Sequence, residues 1–457
     1  MSSQNQQELF GTDGIRSITG KYPLDQASLI KIGFCLGELW KGAKILVGRD
    51  TRESGENIVN QLAYGLGKST NLYCCEVIPT PGLSYVIGHS DYDYGIMITA
   101  SHNPFVYNGL KLFQGNGEKT PGMLERRIEE IFFSTKLNNE SEFYQEKIKQ
   151  TNRVQTESQE KYEQFLVDNA SELNTFKLKI VLDCANGATY RIAPELFKEL
   201  DLDPIVINNQ PDGRNINEKC GSTDLSHLKE TVILNNADLG IAFDGDGDRV
   251  IFVDRDGFML DGDYTLFLIS NYLQKKNQLY NSMVVGTVMS NLGLEEALSQ
   301  RGIELVRTSV GDKNVYREMK EINSILGGEQ SGHIILKNLQ KTGDGILTAL
   351  FFLKALAYFR LKVEEVKKEI IPFPQAYRNI ALKEKKSLSE WDELNELVAH
   401  FNNQYGKNSR VVIRYSGTEP LIRVMMESKY QNIIDENFDL FVNLIESTIG
   451  ELNEIGS

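Results

Sequence analysis

Asp244, Asp246 and Asp248 stand two residues apart with glycine between them, and Arg249 follows directly. This D-G-D-G-D-R run lies between two apolar segments, 239–243 and 250–253. Carboxylates gathered in one small loop repel one another by about 4 kcal/mol per pair at ~4 Å and an effective dielectric of ~20. A hard divalent cation removes that penalty, and the glycines let the backbone turn the carboxylates inward. The run therefore reads as a metal site; the alternative is a solvated acidic turn between two strands. It is not an EF-hand loop, which needs D-x-D-x-D-G spacing and a glutamate at its twelfth position.

Five other stretches carry chemistry. Residues 95–113 read G-I-M-I-T-A-S-H-N-P-F-V-Y-N-G-L-K-L-F, so an apolar strand delivers Ser101 to a loop that Asn103 and Pro104 turn sharply. Ser101 is a candidate nucleophile, with His102 or Lys111 to move its proton. An ordinary turn is the alternative, since no G-x-S-x-G elbow is present. In G-E-Q-S-G-H (328–333), Glu329, Ser331 and His333 offer the acceptor, donor and titratable group that suit the hydroxyls of a sugar. In R-Y-S-G-T-E-P (414–420), Arg414 and the later Arg423 supply charge, while Ser416, Gly417 and Thr418 supply short donors for a phosphate. It is not a Walker loop, lacking the lysine and its spacing. Near the start, F-G-T-D-G-I-R places Arg16 beside a glycine bend, and V-G-R-D-T-R brings Arg49 and Arg52 after a strand. Each of these arginines can face an anionic ligand or serve as a surface cation.

The elements that must position these groups alternate. Strands are expected at 44–47, 72–78, 95–99, 178–183, 238–243, 283–288 and 303–308, with helices at 56–67 and 292–300 among them. That order predicts βαβ units on mixed or largely parallel sheets, where ligands bind beyond the carboxyl ends of strands. The last block, from 387, has a helix, a Y-G-K-N-S turn, paired strands at 410–415 and 421–427 and a closing helix, which is α+β. Charged, weakly periodic 138–159 separates the first block from the second; softer boundaries follow 253 and 361. Four domains are expected: 1–155 with the serine loop, 156–255 with the acidic loop, 256–370 with the sugar loop and 371–457 with the phosphate loop.

A chain of 457 residues is too long for one core. Its 49 Lys and Arg against 63 Asp and Glu give a net charge of -14, which argues against nucleic acid or an anionic membrane as partner. A few arginines in one cleft still suit a phosphorylated small molecule. The five cysteines include no C-x-x-C pair and read as reduced thiols of a cytoplasmic protein. The first residues show no basic stretch followed by an apolar run, so no secretion signal is expected. The apolar helix at 346–359 is interrupted by Lys354 and too short for a bilayer.

Taken in order, F-G-T-D-G-I-R, T-A-S-H-N-P, D-G-D-G-D-R, G-E-Q-S-G-H and R-Y-S-G-T-E-P span positions 10 to 420 and resemble the α-D-phosphohexomutase superfamily. The resemblance implies three similar α/β domains with mixed sheets and a C-terminal α+β domain around a central cleft. Within the superfamily, the opening, the G-G-E-Q-S-G-H loop, S-G-T-E-P-L-I-R-V-M and P-D-G-R-N-I-N-E-K-C-G-S-T (211–223) are similar to the bacterial branch acting on glucosamine phosphates. Thr99, Ser17, Tyr107 and Lys341 depart from the pattern of that branch.

The implied chemistry is an isomerisation of glucosamine 6-phosphate to glucosamine 1-phosphate through a phosphoserine at Ser101 and a 1,6-bisphosphate, feeding UDP-N-acetylglucosamine and cell-wall precursor synthesis. Ser101, Asp244, Asp246 and Asp248 would hold one Mg2+, and Arg249 and Arg16 the same phosphate. Lys111 and His333 are the implied acid–base groups. Glu329 and Ser331 would take the sugar's hydroxyls, and Arg414, Ser416, Gly417, Thr418 and Arg423 the distal phosphate. Glucosamine 1,6-bisphosphate or a relative would activate the enzyme, with a kinase or bisphosphate donor first loading Ser101, and a homodimer is allowed. Rival readings are a phosphomannomutase/phosphoglucomutase, a Mg2+-dependent sugar phosphatase and a non-catalytic phosphosugar-binding protein.

Overall fold

The computed structural model describes residues 9–11, 13–67, 70–135, 152–170, 173, 177–382, 388–415 and 421–455. Most of the expected 138–159 boundary segment and residues 416–420 of the phosphate loop lie outside them. By packing, the chain divides into two units: Met1–Thr287 with Val306–Lys367, and Val288–Leu305 with Lys368–Ser457.

The first unit holds two sheets and all of a third but the first two residues of one edge strand. Strands β1 (Ile15–Ile18), β2 (Lys44–Arg49), β3 (Asn71–Val77), β4 (Tyr94–Ile98), β5 (Tyr107–Gln114) and β6 (Asn152–Arg153) form the first, in the order β1-β5-β4-β2-β3-β6. β2 runs parallel to β3 and β4, whereas β5 is antiparallel to β4 and β1, so the sheet is mixed. β2 and β4 are apolar nearly throughout because both their faces are covered. Ile45, Val47, Ile96 and Ile98 join the core made with helices Gln26–Leu39, Gly55–Leu66 and Gly122–Ser134. Helix Thr80–Gly88 packs on the same two strands and against helix Gln155–Asp168.

The second sheet contains β7 (Ile180–Asp183), β8 (Ile205–Ile207), β9 (Leu239–Phe243), β10 (Val250–Asp254) and β11 (Met259–Leu260), ordered β11-β10-β9-β7-β8. β9 and β10 are antiparallel with Phe243 opposite Val250, so the acidic run is the turn of a hairpin whose strands are wholly buried. The third sheet, β13-β12-β14-β15, is built from β12 (Met283–Thr287), β13 (Glu304–Thr308), β14 (Leu326–Gly328) and β15 (Ile334–Leu336). Gly328 pairs with Ile334, which makes G-E-Q-S-G-H a hairpin turn as well. The apolar helix Gly345–Phe359 follows, its first turn capped by Asp344 at 2.9 Å from the Leu347 amide.

The second unit has β16 (Gln375–Ala381), β17 (Ser409–Tyr415) and β18 (Leu421–Ser428) in the antiparallel order β16-β18-β17. Helices Asp392–Tyr405 and Gln431–Ile455 pack on it through Leu394, Phe401, Phe441 and Ile445. The earlier segment joins them: Leu292 N–H donates to Glu427 at 3.0 Å, the Asn291 side-chain Nδ2 to the Phe373 carbonyl at 3.1 Å, and Arg410 to the Ser290 carbonyl at 2.5 Å. Among the described residues no helix is long and apolar enough to cross a membrane. All five cysteines are free and buried.

Candidate active site

β4 ends at Ile98 and the chain turns through Thr99 and Ala100 into Ser101, which is buried and has a left-handed φ of 50°. A non-glycine residue keeps that conformation only where its surroundings enforce it. The Ser101 amide donates to Thr99 Oγ1 at 2.9 Å, and the Thr99 hydroxyl to Asp50 Oδ2 at 2.7 Å. Arg52 supplies the rest. Its Nε donates to Asp50 at 2.9 Å, its Nη1 to the carbonyls of Pro104 and Tyr107 at 2.6 and 2.9 Å, and its Nη2 to those of Ser101 and Asn103 at 2.9 and 2.8 Å. All five guanidinium N–H groups are thereby used on the serine loop and its support. Arg52 is an internal brace, and Arg49 pairs with Glu76 at 3.1 Å; the sequence suggested an anion for either one.

The acidic hairpin meets this loop. The Ser101 hydroxyl donates to Asp244 Oδ2 at 2.6 Å. Asp244, Asp246 and Asp248 are fully buried or nearly so, each offering a carboxylate oxygen within 4.8 Å of the others. Thr80, at the start of its helix, donates its amide to the Asp246 carbonyl at 2.8 Å and its hydroxyl to the Asp246 carboxylate. Lys111, on β5 and buried, reaches Asp246 and Asp248 at 2.8 Å each and Asp13 at 3.5 Å. Oδ1 of Asp246 and Oδ1 of Asp248 are buried without a hydrogen-bond partner among the described residues. Burial, then repulsion from Asp248 and Asp246, pushes the Asp244 carboxyl well above the usual range. Orphaned oxygens and a carboxylate that resists ionisation are what three hard ligands show when a cation belongs among them, so the residues fit Mg2+.

Cations ring the site. Burial opposes the charge on Lys111, yet Asp13, Asp246 and Asp248 raise it well above the ordinary lysine range. The Arg249 amide donates to Asp244 at 3.2 Å, and its Nε, 3.9 Å from Asp248, makes no hydrogen bond among the described residues. Arg16 pairs with Asp13 and reaches the Ala100 carbonyl at 3.5 Å. His102 Nδ1 lies 3.3 Å from the Ser101 hydroxyl, and burial, with Arg249 and Arg16 adding, pushes the imidazole down to about 3, so it is neutral.

The sugar-loop hairpin closes over the acidic one. Gly332 has φ +88°, and a Cβ there would stand 2.2 Å from the Val250 carbonyl. His333 Nδ1 lies 3.6 Å from Asp248, while its Nε2 accepts the Gly343 amide at 2.9 Å. An accepting Nε2 carries a lone pair, so the ring's one proton is on Nδ1, facing Asp248. Glu329 is half-buried and accepts the Gly311 amide at 3.0 Å; Ser331 is exposed. Gly343 and Gly345 press on the other side, where Cβ atoms would lie 2.6 Å from the Asp248 carbonyl and 2.5 Å from that of Arg249.

Ser101, His102, Lys111, Arg16, Arg249, His333, Glu329 and the three aspartates are thus brought together in one unit. Arg414 and Arg423 belong to the other, where they stand opposite each other on β17 and β18; Ser416, Gly417 and Thr418 fall outside the described residues. Sequence reasoning missed Arg52 as a brace, Asp13 and Lys119, which pair with each other at 2.5 Å, and Gly343 beneath His333. Only the G-D-G that opens the helix at 345 was a usable signal for the last.

Four family models match in chain order: phosphoglucomutase/phosphomannomutase α/β/α domain I over residues 7–139, domain II over 144–257, domain III over 261–373 and the C-terminal domain over 378–443. A phosphoglucosamine mutase from Caldicellulosiruptor bescii is 40% identical over 452 residues, covering 97% of this chain and 99% of its own. One from Pseudomonas aeruginosa is 41% identical over 423 residues, covering 92% and 94%. Among solved structures, a phosphoglucomutase/phosphomannomutase family protein from Burkholderia thailandensis matches with a TM-score of 0.80 at 22% identity over 97% of this chain and 98% of that one. Aspergillus fumigatus N-acetylphosphoglucosamine mutase, in complex with GlcNAc-6P and magnesium, gives 0.66 at 18% identity over 97% and 95%.

Proposed function

The chain is an isomerase of the phosphoglucomutase/phosphomannomutase family, and we propose that it interconverts glucosamine 6-phosphate and glucosamine 1-phosphate through a phosphoserine. The observation that carries the reading is the Ser101 hydroxyl seated 2.6 Å from Asp244 in a buried three-aspartate cluster whose Asp246 Oδ1 has no hydrogen-bond partner among the described residues. A phosphoryl group leaves Ser101 Oγ for the free hydroxyl of the monophosphate, giving glucosamine 1,6-bisphosphate. The bisphosphate turns over, its other phosphoryl group returns to Ser101, and one proton moves in each half. Asp244, Asp246, Asp248 and a phosphate oxygen on Ser101 would hold Mg2+, which would supply neutralisation of the transferring charge.

Arg249, its Nε uncommitted, and Arg16 donate to the same phosphate. Lys111, a cation among carboxylates, relays the proton: it protonates the departing serine oxygen and regains a proton as the attacking hydroxyl loses its own, and the reverse half runs the other way. His333, with one nitrogen toward Asp248 and the other on Gly343, fixes the carboxylate's orientation in this arrangement. Glu329 and Ser331 take hydroxyls of the sugar, and the loop from Arg414 through Ser416, Gly417 and Thr418 to Arg423 takes the distal phosphate. Arg414 and Arg423, directly opposite on paired strands, place two guanidinium groups at the base of that loop. A bisphosphate or a kinase loads Ser101 first, and the product feeds UDP-N-acetylglucosamine and cell-wall precursors. The buried free thiols suit the cytoplasm.

The test is a mutase assay with Mg2+ and a trace of hexose bisphosphate. It compares kcat/KM for the 6-phosphates of glucosamine, glucose and mannose, with Ser101→Ala alongside. Preference for the amino sugar, lost in the variant, is expected. Preference for glucose or mannose overturns the substrate, and activity in Ser101→Ala overturns the phosphoserine.

A further inference from the structure

Two donors from different parts of the chain meet on the same pair of carbonyls. Arg52 Nη2 donates to the carbonyls of Ser101 and Asn103; Asn217 Nδ2 donates to both as well, at 2.9 and 3.1 Å. Asn217 comes from P-D-G-R-N-I-N-E-K-C-G-S-T, the stretch between β8 and β9 that is bonded to neither strand of the acidic hairpin by any ladder. Its backbone is set independently of the serine loop. The Asn217 amide donates to the Ala185 carbonyl at 2.9 Å, and its φ of 57° is one that asparagine tolerates. Upstream, Glu53 donates its amide to the Gly213 carbonyl at 3.0 Å and pairs with Arg214 at 2.7 Å. The stretch is therefore fastened to the turn that carries Arg52 and, through Asn217, to the loop that Arg52 braces.

The third wall is the acidic run itself. A Cβ on Gly245 would lie 2.6 Å from the Ser101 carbonyl and 2.7 Å from Asn217 Nδ2, so the metal-loop backbone is packed against both. The Ser101 carbonyl thus has a guanidinium on one side, a carboxamide on another and the Gly245 backbone against it.

We infer that Asn217 is a positioning residue for the nucleophile. By holding the Ser101 and Asn103 carbonyls from the second domain, it fixes the left-handed Ser101 backbone and aims its oxygen at the acidic cluster. This rests on the phosphoserine reading above. A misplacement of about 1 Å at a reacting atom costs about a hundredfold in rate, and Asn217 touches the loop without touching the substrate.

The experiment follows phosphate uptake on Ser101 by intact mass after mixing with glucose 1,6-bisphosphate, together with kcat, KM and the Mg2+-induced rise in Tm. Asn217→Asp keeps the shape and the tolerance of positive φ but replaces the amide donor with an acceptor. Asn217→Gly keeps the backbone freedom and removes the side chain. Both are expected to slow uptake and kcat by about tenfold to a hundredfold, with KM and the Mg2+ response close to the parent's. Variants within about twofold of the parent overturn the inference. So does a slowing matched by loss of the Mg2+ response, which would make Asn217 a general support of the fold. A parent that takes up no phosphate sinks the phosphoserine reading and this inference with it.

Discussion

Ser101 and Asp244 are 143 residues apart in sequence and share a 2.6 Å hydrogen bond, serine donating. The group expected to carry phosphate therefore rests on the first carboxylate of the acidic hairpin, where burial and two neighbouring aspartates disfavour its charge. Asp244→Asn removes one of those charges. In EDTA the variant should match or exceed the parent in Tm, since a buried carboxyl whose charge Asp248 and Asp246 disfavour gives way to a neutral amide of the same shape. With Mg2+ the order should reverse, because a ligand at about 100 times its Kd stabilises the parent by ~2.7 kcal/mol and the variant by much less. Mutase activity should fall about a hundredfold or more. Calorimetry with and without Mg2+ decides; an equal Mg2+ shift in both proteins would remove Asp244 from the ligand set.

Gly332→Ala should be costly in stability and activity together. Its φ of +88° is one that alanine adopts only with strain, and the added methyl would meet the Val250 carbonyl at 2.2 Å. About 2–3 kcal/mol of stability should be lost in urea denaturation. Because Glu329 and His333 flank the turn, kcat/KM should drop as well. A variant of parental stability would mean that the two hairpins separate freely.

Asp344 carries a pH dependence of definite sign. Burial raises its carboxyl from the ordinary 3.8 to about 6, against the hydrogen bonds from Leu347, Tyr162 and Gln340. Between those values the folded chain holds a proton that the unfolded chain has released, so stability falls as pH rises through the window. The shift is about 2 units, or ~3 kcal/mol. Asp344→Asn has no such proton to lose. Measured against the parent, its stability should improve by up to ~3 kcal/mol between about pH 4 and about pH 7. A difference that does not change across that range would place the proton elsewhere.

Arg414→Ala tests the distal-phosphate loop. KM should rise and kcat fall, each by about tenfold, if the loop's binding energy orients the substrate for transfer. A higher KM with unchanged kcat would reduce the loop to uniform binding.

What could be read from the sequence was set by range. The β9 and β10 segments flank the aspartates closely, and the strand before Ser101 is a continuous apolar run, so both motifs were legible with their supports. β5 was not expected as a strand, because Y-N-G-L-K-L-F-Q breaks the apolar pattern with Lys111. A buried lysine makes sense only with Asp246 and Asp248, 135 and 137 residues later. Arg52 was misleading for the same reason. An arginine after a strand looks like an anion contact, and nothing local reveals that its acceptors are carbonyls 49 to 55 residues on. Asn217 drew notice only as part of a branch-like stretch, since a carboxamide carries no signature until its partners are known.

The second unit is assembled from pieces made at different times. Ser290, Asn291 and Leu292 leave the ribosome first, and the groups they bond, Phe373, Arg410 and Glu427, are synthesised only after the whole third sheet and the helix that follows it. Domains that close on themselves fold as they emerge; this one has to wait with its first helix made and its sheet still absent. A gene fragment starting near residue 370 would yield that sheet with the buried Glu427 carboxylate missing the Leu292 amide. The last domain is therefore a poor candidate for expression alone, and a split of the protein for complementation should be cut before the third sheet begins at residue 283.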